Sequence, residues 1–215
     1  MKSIFDLNNP FMQFLTRVGD MILLNFLFLI CCIPLVTVGA ARAALYKVTI
    51  DAMYDMEGGI FKSFFAAFRA NFKQATVVWL IQVVIFASLV CDVLLILTFM
   101  PTSKVMYILV AVLGFLVLCV SAYMTPLLVR YDNSLREHLS NAIVLAIIKL
   151  PKTLGMVILN TLPLLIAVAS LAVFAQTLVF WMVIGFGFVA FLNCTMLKSV
   201  FAQLEKGNNK VTVGM

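Results

Sequence analysis

The chain has 215 residues, of which 64% are hydrophobic and 11% charged, with a mean hydropathy of +1.14. A soluble domain carries roughly 45–50% apolar and about 25% charged residues, so a water-soluble globule of this size is excluded and an integral membrane protein is expected. The net charge of +6 would favour nucleic acid in a soluble protein. Here the basic residues sit between apolar runs, the pattern of membrane topology, so the expected partner is the lipid bilayer and not nucleic acid.

No Lys, Arg, Asp, Glu or His occurs in 21–41, 105–129 or 153–197, and about 20 apolar residues cross a bilayer as a helix. After an N-terminal arm over 1–19, the first span is predicted over 20–41. It begins with no small-residue cleavage site and contains Pro34, so it is expected to remain as an anchor. The next spans are predicted over 75–100 and 105–129, parted at Met100-Pro101-Thr102-Ser103-Lys104, where Pro and Ser break the pattern. As one helix the uncharged stretch 153–197 would be about 67 Å long at 1.5 Å per residue. It therefore has to fold back, with the turn expected at Ala175-Gln176-Thr177 between spans 153–175 and 177–198. Pro34, Pro126 and Pro163 fall inside spans and are expected to kink them.

Two charged stretches carry helical periodicity. Phe61, Phe64, Phe65, Phe68 and Phe72 recur on one face of 61–73, with Lys62, Arg69 and Lys73 beside them, placed to snorkel toward headgroups. In 134–150 the stripe is Leu135, Leu139, Ile143, Ala146, Ile147 and Leu150. Both segments are expected to be amphipathic helices lying on the inner leaflet, with docking of another protein as the alternative. The fold expected is thus an all-α membrane protein, one domain over 1–215. It has about five transmembrane helices plus two cytoplasmic amphipathic interfacial helices, arranged as two parallel helix-hairpin repeats, 61–129 and 134–198. Twelve Lys and Arg fall on one side of this arrangement and three on the other. The positive-inside rule then puts the N-terminus outside and the C-terminus in the cytoplasm.

The residues able to carry chemistry are few. Asp92 is the one ionisable residue deep within a predicted span, where a carboxylate costs a few kcal/mol unless it faces a cavity or a partner. It is either a proton- or cation-linked site or a carboxyl bonded to Ser, Thr or Asn neighbours. Asn25, Asn160 and Asn193 complete the candidate intramembrane polar site, with interhelical hydrogen bonding as the alternative role; Gln82 and Gln176 are the other amides in spans. Cys31, Cys32, Cys91, Cys119 and Cys194 lie in apolar runs without metal or redox spacing and read as small hydrophobes. No phosphate loop, nucleophile elbow, zinc motif or paired carboxylate is present. No catalytic residue, metal or cofactor is therefore expected, and no enzyme activity.

The run Leu24-Asn25-Phe26-Leu27-Phe28-Leu29-Ile30-Cys31-Cys32-Ile33-Pro34-Leu35-Val36-Thr37-Val38-Gly39-Ala40-Ala41, then Ala44-Leu45-Tyr46, Asn71, Lys73-Gln74 and Trp79-Leu80, resembles the YesL-like family. Those are small multi-pass bacterial membrane proteins of unknown function. The resemblance implies a bacterial cell-membrane protein associated with carbohydrate uptake, and with ABC-type sugar transporter subunits as partners. It transfers no catalytic residue. Two functions are therefore carried forward. One is an accessory membrane protein working through contacts at the cytoplasmic face, where Phe61 to Phe72 and their basic neighbours form a partner or lipid interface. The other is a small solute transporter or channel, alone or as a homo-oligomer, with Asp92 on its path.

Overall fold

The computed structural model describes residues 10–54 and 59–212. Lys2 of the charge count lies outside them, as do the side chains of Lys206 and Lys210. The described chain is helical, with no strand among the described residues. Helix α1 spans Pro10–Cys31, a 3₁₀ turn covers Leu35–Thr37, and α2 follows over Val38–Met53. Then come α3 (Ile60–Phe99), α4 (Lys104–Arg130), α5 (Leu135–Ile148), α6 (Leu150–Ala169) and α7 (Leu171–Phe180). A π turn over Trp181–Gly185 leads into α8, Phe186–Thr212. Among the described residues four stretches are long and apolar enough to cross a membrane: α3, α4, α6, and Leu171–Gln203 through α7, the π turn and α8. The chain is an all-α, multi-pass membrane protein.

Three boundaries differ from those the sequence suggests. The stretch 20–41 is not one helix, because Pro34 supplies no backbone N–H and sits at an extended φ of −78° and ψ of 116°. The chain turns there into α2. The amphipathic segment 61–73 and the span 75–100 are a single 40-residue helix, α3. No Gly or Pro falls between Gly59 and Pro101, and Lys73-Gln74 are good helix formers, so nothing interrupts it. At about 60 Å it is twice the thickness of a hydrocarbon core, and its Phe-rich half extends the span instead of forming a separate flat helix. The second hairpin turns at Ser170, not at 175–177. Leu150 and Pro151 start α6 early, so its 20 residues already measure about 30 Å. The Ser170 hydroxyl then accepts from the Val173 N–H as the cap of α7. Thr177 bonds back to the Val173 carbonyl at 3.0 Å and stays inside its helix.

Packing is confined to one end of the bundle. The buried residues come from α1, α2, the first half of α3, the last third of α4, and the facing parts of α5, α6 and α8. No residue in 83–118 or in 158–180 is buried. The α3–α4 and α6–α7 hairpins therefore extend beyond the core as pairs of apolar helices.

At the centre of the packed end, α2 presents Gly39, Ala40, Ala41, Ala43 and Ala44, all buried, a surface of small residues that lets neighbouring backbones approach closely. Gly39 is the tightest point. A Cβ there would collide with the Ala75 carbonyl oxygen and stand 2.6 Å from Trp79 Cβ. The Trp79 indole N–H closes the same joint by donating to the Leu35 carbonyl at 2.9 Å. Gly155 differs, since its added Cβ would meet only the flexible end of Met196.

Gly39→Ala is accordingly expected to destabilise the protein by at least the ~1–3 kcal/mol typical of overpacking. Gly155→Ala should cost much less. Melting of the two purified variants in one detergent, followed by size-exclusion fluorescence, measures the difference.

Candidate functional site

The predicted polar residues lie at separate places. Asn25 is fully buried on α1. Its side-chain amide donates to the carbonyls of Trp181 (3.2 Å) and Met182 (2.7 Å), and its oxygen accepts from the Gly187 N–H at 2.9 Å. A π turn displaces one step of the backbone ladder, and the Asn25 carboxamide fills it, pairing both a stranded carbonyl and a stranded N–H. Gly187 allows this approach: a Cβ there would lie 3.2 Å from the Met21 carbonyl oxygen.

Asn160 and Asn193 meet. Asn193 Nδ2 donates to the Tyr46 hydroxyl at 2.8 Å and to Asn160 Oδ1 at 3.1 Å, joining α8 to α2 and α6. Gly187 and Asn193 are six residues apart, about 9 Å along α8, so the Asn25 clamp and the Asn160–Asn193 pair are successive fastenings of one helix. Asp92 belongs to neither. It is exposed on the unpacked half of α3, about 21 Å by helix rise from Val78, a residue of the packed end.

The aromatic stripe is divided between core and surface. Phe64 is fully buried, Phe65 and Phe68 are half-buried, and Phe61 and Phe72 are exposed. The rings form a ladder along α3, with centroids 4.9 Å apart for Phe61–Phe65, 6.4 Å for Phe64–Phe68 and 5.6 Å for Phe68–Phe72. Lys62, Arg69 and Lys73 are exposed beside it.

Helix α5 starts on a capping box, with the Ser134 hydroxyl and the Glu137 carboxylate each accepting from the other's backbone N–H. These bonds hold the Glu137 carboxyl below its usual range. The face of α5 turned inward is His138, Ala142, Leu145 and Ala146. Its larger apolar residues Leu139, Ile143, Ile147 and Leu150 (the last opening α6) are exposed, Ile147 at 66%. Of the stripe read from the sequence, Ala146 is buried, Leu135 packs half-buried against the core, and Leu139, Ile143, Ile147 and Leu150 are exposed.

Several groups at this end were not singled out from sequence. The Thr153 hydroxyl lies 3.0 Å from the Ala146 and Lys149 carbonyls and from the Tyr123 hydroxyl, fastening the α5–α6 corner. The Arg130 guanidinium stands 4.6 Å from the Tyr54 ring centroid and 5.8 Å from that of Phe201, and Lys198 lies 5.6 Å from Tyr54. Arg42 donates to the Ser121 carbonyl at 3.4 Å. These are long-range contacts with no spacing signal.

A groove opens on the outer side of the packed end. It has a volume of about 470 Å³ and runs between α3 (Val78 to Ile85), α4 (Leu116 to Met124) and α5 (Leu135 to Ile143). Its walls are apolar except for Gln82, Ser121 and Arg136. A cavity large enough for about one water, lined by Gly39, Arg42, Trp79 and Thr125, adjoins it and shares Val78 and Gln82.

Residues 21–93 match the family model DUF624, described as a protein of unknown function. The DUF624 segment runs from α1 through the Pro34 elbow and α2 into α3, consistent with the resemblance to YesL-like membrane proteins. No curated protein and no solved structure matches the chain. Within the DUF624 segment the motif residues have structural roles. Asn25 fills the π turn and Pro34 opens the elbow. Thr37 bonds the Cys31 and Pro34 carbonyls at 2.6 and 2.7 Å, and Gly39 admits α3.

Asn25→Leu leaves a carbonyl and an N–H unpaired inside the protein, and a loss of ~1–3 kcal/mol is expected; detergent melting of the variant measures it. A second expectation concerns pH. Burial holds the His138 imidazole below its ordinary pKa, against the opposing pull of Glu137, the Asn133 backbone and Asp132. The unfolded chain then takes up the His138 proton first, so stability is full above about pH 6.5. It falls as the pH drops from there toward the lowered folded-state pKa. A Tm series from pH 8 to 5 should slope downward below that point, and less steeply for His138→Gln.

Proposed function

We propose that this chain is an accessory membrane subunit for carbohydrate uptake that acts by protein contact at the cytoplasmic face and not by catalysis. The observation that supports it is the orientation of α5, whose His138, Ala142, Leu145 and Ala146 face is spent on the core while Ile147, Ile148 and Leu150, beyond the groove, point outward. Exposed contiguous apolar surface of this kind marks an interaction site, and short apolar-faced helices between spans suit contact with a transporter. Phe61 and Phe72 are further exposed apolar residues, on α3. The link to sugar transporters of the ABC type comes from the YesL-like resemblance.

The side assignment follows from charge. Arg42, Lys47, Lys62, Arg69, Lys73, Arg130, Arg136, Lys149, Lys152 and Lys198 all lie on the elements of the packed end and their connections, against Lys104 at the opposite tip. The positive-inside rule puts the former in the cytoplasm of a bacterial cell. The reading of Asp92 as part of a solute path gains no support from its exposed position, and a homo-oligomer contact through the unpacked hairpin is the role open to it.

The test is co-purification. The tagged protein, extracted in mild detergent from its native membrane, should carry sugar-transporter permeases at near-equal amounts. Ile147→Ser combined with Phe61→Ser, two exposed positions, should remove them while membrane insertion and Tm are kept. Phe65 and Phe68 are poorer choices because both pack against the core. Retention of the same partners by the double variant would rule out this surface.

A further inference from the structure

The groove between α3, α4 and α5 carries its own argument, independent of any protein partner. Its length follows from its walls: Leu116 to Met124 on α4 and Val78 to Ile85 on α3 span about 10–12 Å of helix rise. Its volume of about 470 Å³ is room for a hydrocarbon chain along that length. Two of its three walls are the two most apolar spans, so the occupant reaches the groove from within the bilayer.

Three polar groups limit the chemistry. Gln82 is 8% exposed and lines the groove, and its carboxamide has no hydrogen-bond partner among the described residues. Its amide atoms are not among the buried unpaired ones, so they stay open to a polar group of a ligand in the groove. Arg136 is exposed at the start of α5 and lines the same groove. Among the described residues no carboxylate lies within ion-pairing distance of it. The neighbouring Glu137 carboxylate is held by the capping box. Arg42 lies behind the wall, joined to the Ser121 carbonyl at 3.4 Å, and it too has no carboxylate at that range among the described residues. The groove is thus apolar along its length, offers an amide part-way, and is flanked by two guanidinium groups without a counter-charge. Basic pockets between spans are anionic-lipid sites on these grounds.

We propose that this groove binds one anionic phospholipid, with an acyl chain against Ile81, Ile85, Leu116 and Val120, the ester region beside Gln82, and the phosphate paired with Arg136. The guanidinium matches a phosphate in a bidentate manner, and the second positive charge, on Arg42, favours an anionic over a zwitterionic headgroup.

Native mass spectrometry of the full-length protein tests this, with dioleoylphosphatidylglycerol or dioleoylphosphatidylcholine titrated into the detergent solution. One phosphatidylglycerol should be retained about tenfold more tightly than phosphatidylcholine, a difference the size of one charge-assisted contact. Arg136→Gln should remove that preference, whereas Lys104→Gln, a basic residue at the far tip, should leave it intact. Val120→Trp, which fills the groove, should lose both lipids; Leu139→Trp on the opposite wall serves if the first variant does not fold. Equal retention of the two lipids overturns the proposal, as does an unchanged preference in Arg136→Gln. So does a groove-filling variant that changes the oligomeric state and keeps its lipid, since the groove would then be a contact between chains.

Discussion

The architecture depends on a missing side chain. Gly39 lets the backbone of α2 rest on that of α3, and once α2 is seated there its other faces meet α1, α4 and α8. In water such a joint would be reinforced by the hydrophobic effect. Between helices surrounded by lipid that force is weak, and close backbone approach with the dispersion contacts it allows takes over. The run of alanines beyond Gly39 extends the same principle along α2. The Trp79 bond to the elbow carbonyl sets where along α3 the contact falls.

Polar groups supply what close packing alone does not, namely register. Each of the interior carboxamides Asn25 and Asn193 bonds across helices far apart in the chain, and so specifies one sliding position of α8. An unpaired amide is costly in a hydrocarbon surrounding, so a shift of α8 by even one residue would be penalised at both. The Asn25 bonds also show why the π turn persists: the insertion that disrupts the ladder is matched by a side chain with one donor and one acceptor in the right order.

Composition and charge spacing made the membrane character and the helical class legible, along with the hairpin turn at Pro101. The periodicity of 134–150 also announced a helix, but periodicity does not say which face turns inward. The stripe was expected to meet lipid or another protein, and Leu139, Ile143, Ile147 and Leu150 of it are exposed; His138, Ala142, Leu145 and Ala146 turn inward. The charges at Lys62, Arg69 and Lys73 read as a boundary between an interfacial helix and a span. The uninterrupted run without Gly or Pro, equally present in the sequence, was the better guide to α3. Ser170 had no such signal, since it opens α7 by side-chain capping in a stretch where Ser, Gln and Thr look alike. The partners of Asn25 lie more than 150 residues away in sequence, beyond any local pattern. Gln82 was visible as an amide in a span, whereas the groove it lines exists only once three helices are assembled.

The absence of buried residues from 83–118 and 158–180 divides the molecule mechanically. One half keeps its shape through its own core, and the other takes its shape from the surrounding hydrocarbon. Changes in bilayer thickness are absorbed by tilting helices at modest cost, and here the tilting falls on the two hairpins, which have no core to resist it. Any such tilt pivots near Val78 and Gln82, where α3 leaves the core and the groove begins. The membrane is therefore a structural component of this protein, and the walls of the groove lie on the line where its stiffness changes.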